Sequence, residues 1–151
     1  MIKAEDLRIG DLVIVSETGC MIPKGVVCKV VAIDSEKFLE EMNLKGCATL
    51  KELEVNHCDI SCGVWCKYIS PIPLTPEILE KNGWKKKREG WYIKNIDKYD
   101  YLSAEFEYED GIRVFLKRAV NGLYAKLNTA NNVQELQHIL WALGKDANLT
   151  I

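Results

Sequence analysis

The chain is short of the residues that punctuate and catalyse. It has two histidines (His57 and His138) and four prolines, and no cysteine follows Cys66. Two imidazoles leave few bases for proton transfer near neutral pH. No apolar run approaches the roughly 18–20 residues of a membrane span. Neither sign of charge dominates, and the formal net charge is −2. Such a balance supplies no global attraction for nucleic acid or an anionic lipid surface. No Ser-centred elbow, phosphate-cradling glycine loop or His-Glu-x-x-His stretch is present. The opening residues, Met1-Ile2-Lys3-Ala4-Glu5-Asp6, lack a basic-then-apolar export pattern. The expectation is a cytoplasmic protein with no membrane partner.

What is present begins with six cysteines, Cys20, Cys28, Cys47, Cys58, Cys62 and Cys66. In an exported mini-protein they would suggest a disulfide framework, but the 48% hydrophobic content is ample for a core without staples. Reduced thiols are expected, and the Asn148-Leu149-Thr150 sequon is then idle, because glycosylation needs the secretory route.

Three of the four prolines crowd into residues 71–76 of Pro71-Ile72-Pro73-Leu74-Thr75-Pro76-Glu77-Ile78-Leu79-Glu80-Lys81-Asn82-Gly83-Trp84. Proline fixes φ and pushes its predecessor toward extended geometry, so the stretch starts as a stiff connector. Thr75 suits an N-cap, Pro76 the first helical position, and Glu77 the positive end of the dipole. Leu74 and Leu79 occupy staple positions, and Gly83 suits the left-handed stop.

The connector divides the chain into halves of different grammar. The first reads as short β segments, Leu12–Val15, Gly25–Ile33, Thr49–Val55 and Val64–Ile69. A helix is expected over 35–44, with Ser35 as cap and Phe38, Leu39 and Met42 on one face. In the second half, Leu102, Ala104, Phe106 and Tyr108 alternate with Ser103, Glu105 and Glu107. A three-residue loop ending at Gly111 would pair Phe106 with Val114 and Ala104 with Leu116. Asn121-Gly122 would then pair Val120 with Leu123 and Leu116 with Leu127, extending one apolar face over three strands. A closing helix, capped by Asn131 or Asn132, would bring Val133, Leu136, Ile139, Leu140 and Leu143 onto it before Gly144. The expected fold is α+β: an N-terminal SH3-like β-barrel over 1–70, the connector and short helix over 71–83, and an antiparallel meander with a C-terminal helix over 84–151. The second half is thus a helix / antiparallel meander / helix unit.

Three segments carry a resemblance: Leu7-Arg8-Ile9-Gly10-Asp11-Leu12-Val13, Trp65-Cys66-Lys67-Tyr68-Ile69-Ser70-Pro71-Ile72-Pro73-Leu74-Thr75, and Val133-Gln134-Glu135-Leu136-Gln137-His138-Ile139-Leu140-Trp141-Ala142-Leu143. In this order the chain resembles a family of small uncharacterised proteins of gut anaerobic bacteria, often associated with phage or mobile elements. Members commonly end the last helix with a Thr-Gly pair, whereas here Leu143 runs directly into Gly144-Lys145. The resemblance implies no catalytic residues.

Three constellations bear on chemistry. His57, Cys58, Cys62 and Cys66 have the donor types of a tetrahedral zinc site. Their spacing of four does not match the Cys-x2-Cys knuckle, and spread along one strand these cysteines would span roughly 26 Å. Small buried thiols filling a core are the alternative. Lys85, Lys86, Lys87 and Arg88, flanked by Trp84 and Trp91, have the composition of a single-stranded nucleic-acid site, where cations meet phosphates and rings meet bases. A solvated edge anchored by the two tryptophans is the alternative. Trp141 leaves the stripe of the last helix, on the side of Gln134 and Gln137, and is a candidate interface residue, with packing against the N-terminal half of the same chain as the equal alternative. A nucleophilic cysteine would need His57 or His138 as base. The expected function is a non-catalytic binding or accessory protein. Nucleic-acid binding through 84–92, and a zinc protein or enzyme using residues 57–66, stand as alternatives.

Overall fold

The structure is a computed structural model and describes residues 2–17, 22–39, 44–53, 61–106, 111–119 and 121–151, with backbone alone at 35–39 and 44–45. Its contacts divide the chain into two units, Met1–Ile72 and Pro73–Ile151.

The first unit contains β1 (Leu12–Val15), β2 (Val27–Leu39), β3 (Leu44–Glu52), β4 (Cys62–Trp65) and β5 (Ile69–Pro71), in one sheet of order β4-β3-β2-β1-β5. Every pairing in it is antiparallel. The turn that feeds β1 is tied down locally: Asp11 Oδ2 accepts the Arg8 N–H at 2.7 Å, and Gly10 N–H donates to the Val30 carbonyl at 2.7 Å. Alternation then sends Val13 and Val15 inward, to a core with Cys28, Val30, Ala48, Leu50, Cys62, Val64, Cys66 and Ile69.

Two expectations fail in this unit. The SH3-like barrel does not close: β4 and β5 are the two edges of an open sheet, with no ladder between them among the described residues. They are consecutive in the chain and separated by one 3-10 turn, Cys66–Tyr68, so the sheet must coil to place them at opposite edges. The helix expected over 35–44 is also absent from its described part. β2 continues to Leu39, and β3 returns from Leu44, with Phe38 opposite Lys45 and Leu39 opposite Leu44. Three apolar residues are too short a pattern to fix a period, and cross-strand pairing overrides the helical reading. Register shifts between Val30 and Ala32, and again between Asp34 and Phe38, give this long strand its bends.

The second unit runs α1 (Pro76–Lys81), β6 (Lys85–Arg88), β7 (Trp91–Asn95), β8 (Asp100–Glu105), β9 (Arg113–Arg118), β10 (Tyr124–Thr129) and α2 (Val133–Ala142). Thr75 Oγ1 accepts the Ile78 N–H at 3.4 Å, and Asn132 Oδ1 accepts the Glu135 N–H at 2.9 Å, so each helix is started by its cap. The five strands form a sheet of order β10-β9-β8-β7-β6. The helix–meander–helix α+β description is therefore corrected. Among the described residues the chain is mostly antiparallel β, two open five-stranded sheets with α-helices of six and ten residues.

The registers also differ from those expected. Ala104 lies opposite Val114 and Leu102 opposite Leu116, a slip of two that preserves the faces. Phe106 N–H bonds to the Gly90 carbonyl, and the Ile112 carbonyl accepts from Ala130. In the next hairpin Leu116 faces Ala125, and a shift between Lys126 and Asn128 breaks the alternation. The apolar face thus ends at β10, where Ala125, the partner of Leu116, is exposed.

The buried face of this sheet carries Tyr92, Leu102, Ala104 and Val114. Helix α2 is buried over more than its apolar stripe, because the segment after it wraps its far side. Gln137, 1% exposed, donates from Nε2 to the Ala147 carbonyl at 3.0 Å, and Ala147 and Leu149 are themselves buried. Asn82 completes the closure: its Nδ2 donates to the Thr150 carbonyl and its Oδ1 accepts the Thr150 N–H, both at 2.8 Å. Among the described residues no helix is long and apolar enough to cross a membrane.

Candidate nucleic-acid interface

Pleating sends alternate residues of β6–β10 to the face opposite the buried one. The ladder aligns them in rows. Arg88, Trp91, Glu105, Arg113 and Thr129 form the first row, and Lys85, Ile93, Ser103, Phe115 and Lys126 the second. Asn95, Tyr101, Lys117 and Tyr124 form the third. Among these residues Lys85, Arg88, Arg113, Lys117 and Lys126 are cationic, and Glu105 alone is acidic.

Trp91 organises the centre of this face. Its indole Nε1 donates to Ser103 Oγ at 2.5 Å, and Ser103 Oγ donates to Glu105 Oε1 at 3.1 Å. Glu105 Oε1 also accepts Lys117 Nζ at 2.7 Å, in an ion pair whose side chains are 22% and 16% exposed. Lys117 Nζ lies 5.3 Å from the Trp91 ring centroid and 5.1 Å from that of Phe115, while Arg88 stands 5.4 Å from Trp91. These distances fall within the range of cation–π attraction. Phe115 in turn meets Tyr124 edge-on, with centroids 6.0 Å apart. Cations of β6 and β9 thus touch rings of β7 and β9.

The residues singled out in the sequence separate here. Trp84 is 3% exposed and sits with the core, so it is an anchor and offers no ring to a base. Lys85, Lys86, Lys87 and Arg88 form β6, an exposed edge strand. Lys86 donates to Glu89 at 2.6 Å, which holds its ammonium above the usual lysine range. Trp91 is half-buried on the outer face, with Arg88 beside it. Sequence reasoning put Ser103 and Arg113 on the wet face of their strands but missed Phe115, Lys117, Tyr124 and Lys126 as members of this surface. The signal available was the polar half of the strand alternation, which marks a wet face without saying what it is for.

Of the zinc candidates, His57 and Cys58 lie outside the described residues. Cys62 and Cys66 are buried in the first unit, free of disulfides. Burial, and then the neighbouring Cys47, push the Cys66 thiol up to about 11, so at neutral pH it is a protonated thiol and a poor nucleophile. Among the described residues no group of three His, Cys, Asp or Glu comes together as a metal site. Trp141 is half-buried and stacks on His138 at 5.6 Å, as residues three apart on one helix face can.

An open cleft of about 620 Å³ lies at the end of the second sheet, lined by Asp97, Tyr99, Asp100, Arg118 and Asn121. Arg118 grips Asp100 through Nε at 2.9 Å and Nη2 at 3.3 Å. Asp97 Oδ1 accepts the N–H groups of Tyr99 and Asp100, which holds its carboxyl below the usual range. The cleft's charges are therefore engaged, Asp97 in the turn and Arg118 with Asp100 across the β8–β9 ladder. Comparison with protein-family models, with curated proteins and with solved structures gives no match.

Proposed function

We propose that the protein is a non-catalytic accessory protein that binds single-stranded nucleic acid in the cytoplasm, in keeping with the phage and mobile-element family its motifs resemble. The observation that carries this reading is the outer face of the second sheet, where five cations and one carboxylate surround Trp91, Phe115 and Tyr124. Phosphates pair with the cations and bases with the rings, and neither interaction needs a particular sequence. The overall charge of −2 does not oppose this, because attraction at contact range depends on the local face.

The reading differs from the expected segment 84–92 in two respects: Trp84 leaves the site, and residues of β8–β10 join it. The test is a tryptophan-fluorescence titration with oligothymidylate and oligouridylate at low and moderate salt. Affinity should fall with salt, with a log–log slope of about −3 if some four phosphates are neutralised. Lys117→Ala and Lys126→Ala should each reduce that slope by about 0.7. Absence of salt-sensitive binding at low ionic strength would sink the reading.

A further inference from the structure

We propose that Tyr124 is a second stacking station, so that a bound single strand crosses the β-strands from Trp91 to Tyr124 instead of following the basic edge at β6. This rests on the nucleic-acid reading above and adds the path of the ligand.

Tyr124 is 69% exposed at the start of β10, the edge opposite β6. Its ring is not loose: Phe115 holds it edge-on at an interplanar angle of 76°. Such a contact occupies at most one face of a ring, so a face of Tyr124 is left for a base. From β7 to β10 the sheet takes three interstrand steps, so the two stations are on the order of 14 Å apart in that direction. Between them Lys117 approaches both Trp91 and Phe115, and in the ladder it faces Tyr124. Lys126 and Arg113 flank it one and two rows away, with Arg113 opposite Glu105. A path with a ring at each end and cations between is what a strand with alternating bases and phosphates requires.

An exposed tyrosine beside exposed Leu123 at a sheet edge also suits strand addition by a protein partner. Two features of β10 oppose that. The register shift between Lys126 and Asn128 interrupts the ladder a new strand would follow, and Lys126 places charge on the edge. The charge of the face favours a polyanion.

The experiment is fluorescence anisotropy with labelled oligothymidylates of roughly two, four, eight and twelve nucleotides, on wild type, Tyr124→Ala and Tyr124→Phe. Matching circular dichroism and melting would establish that the exposed substitutions leave the fold intact. Wild-type affinity should climb with length until both stations are occupied. Tyr124→Ala should weaken the eight-mer by about five-fold or more, the loss of one stacked base, and leave the two-mer unchanged. Tyr124→Phe, which keeps the ring, should bind as wild type. If Tyr124→Ala binds every length as wild type does, the ligand has one station and this path is wrong. If Tyr124→Ala changes sedimentation but not binding, the tyrosine serves self-association and the inference is overturned. If the wild type binds nothing, the nucleic-acid reading fails and the inference with it.

Discussion

At the scale of single residues, the outer face depends on how Trp91 is held. Ser103 is buried at 0% exposure beneath the indole and accepts its N–H. Ser103→Ala removes that acceptor and should cost about 1 kcal/mol of stability, read from urea melts. It should also shift tryptophan emission toward the red as the ring loosens; unchanged emission would show that Ser103 does not fix the ring. In the first unit, Cys66 gives a pH signature. Its folded-state thiol titrates at about 11 against the ordinary 9.0. The neutral thiol's contribution is therefore complete below about pH 9 and disappears as pH rises toward 11. Urea midpoints should fall over that interval, and the fall should be shallower in Cys66→Ala; parallel alkaline limbs would contradict the assignment. Gly46 is a third sensitive point. Its φ is +72°, and a Cβ there would stand 2.6 Å from that of Ala4. Gly46→Ala should cost more than the ~1 kcal/mol of an ordinary Gly-to-Ala mismatch, by urea denaturation.

At the scale of elements, the helices are the part most open to reading from sequence. Thr75, Pro76 and Gly83 mark α1 by side-chain chemistry that acts within one turn, and Asn132 does the same for α2. Asn131 adds a second tie, donating its N–H to Glu135 Oε2 at 2.6 Å. Asn132→Ala should lose about 1 kcal/mol and lower the melting temperature, with Asn132→Asp retaining most of it. Strand registers are less legible, because they depend on bonds to third strands. Asp110-Gly111 advertises a tight hairpin, but the ladder sets Ala104, not Phe106, opposite Val114. Ala119 N–H bonds to Tyr99 across the sheet, and this opens the hairpin at Asn121-Gly122. Periodicity misleads at 35–39 for a related reason: a long antiparallel partner, β3, was available to the backbone there.

At the scale of the whole molecule, a net charge near zero conceals where binding is concentrated. The acidic residues of the outer face are outnumbered, although those of the whole chain are not. Composition could reveal the second fact and not the first, since a face is assembled from β6, β7, β8, β9 and β10 only once the sheet exists. The basic run at 85–88 was legible as a cluster, while Arg113, Lys117 and Lys126 are scattered singly along the chain. Lysine acetylation footprinting gives the corresponding prediction. Saturating oligothymidylate should protect Lys85, Lys117 and Lys126, and leave exposed Lys3, Lys24 and Lys51 of the first unit as reactive as before. Uniform protection, or none, would locate the binding elsewhere. The open sheet of the first unit was not legible at all: the strands were, but whether β4 meets β5 depends on coiling that no local residue encodes.

The clasp between Asn82 and Thr150 has a consequence in time. Asn82 precedes Gly83, the pairing in which a backbone N–H most readily attacks the side-chain carbonyl and releases ammonia. In the folded chain both participants are occupied: Nδ2 is held by the Ile78 and Thr150 carbonyls, and Gly83 N–H by Glu80. Conversion to aspartate would discard both Nδ2 bonds and turn a carboxylate toward the Thr150 carbonyl. Asn82 therefore works as a clock. The small mass gain accumulating there during storage records how often the last residues let go.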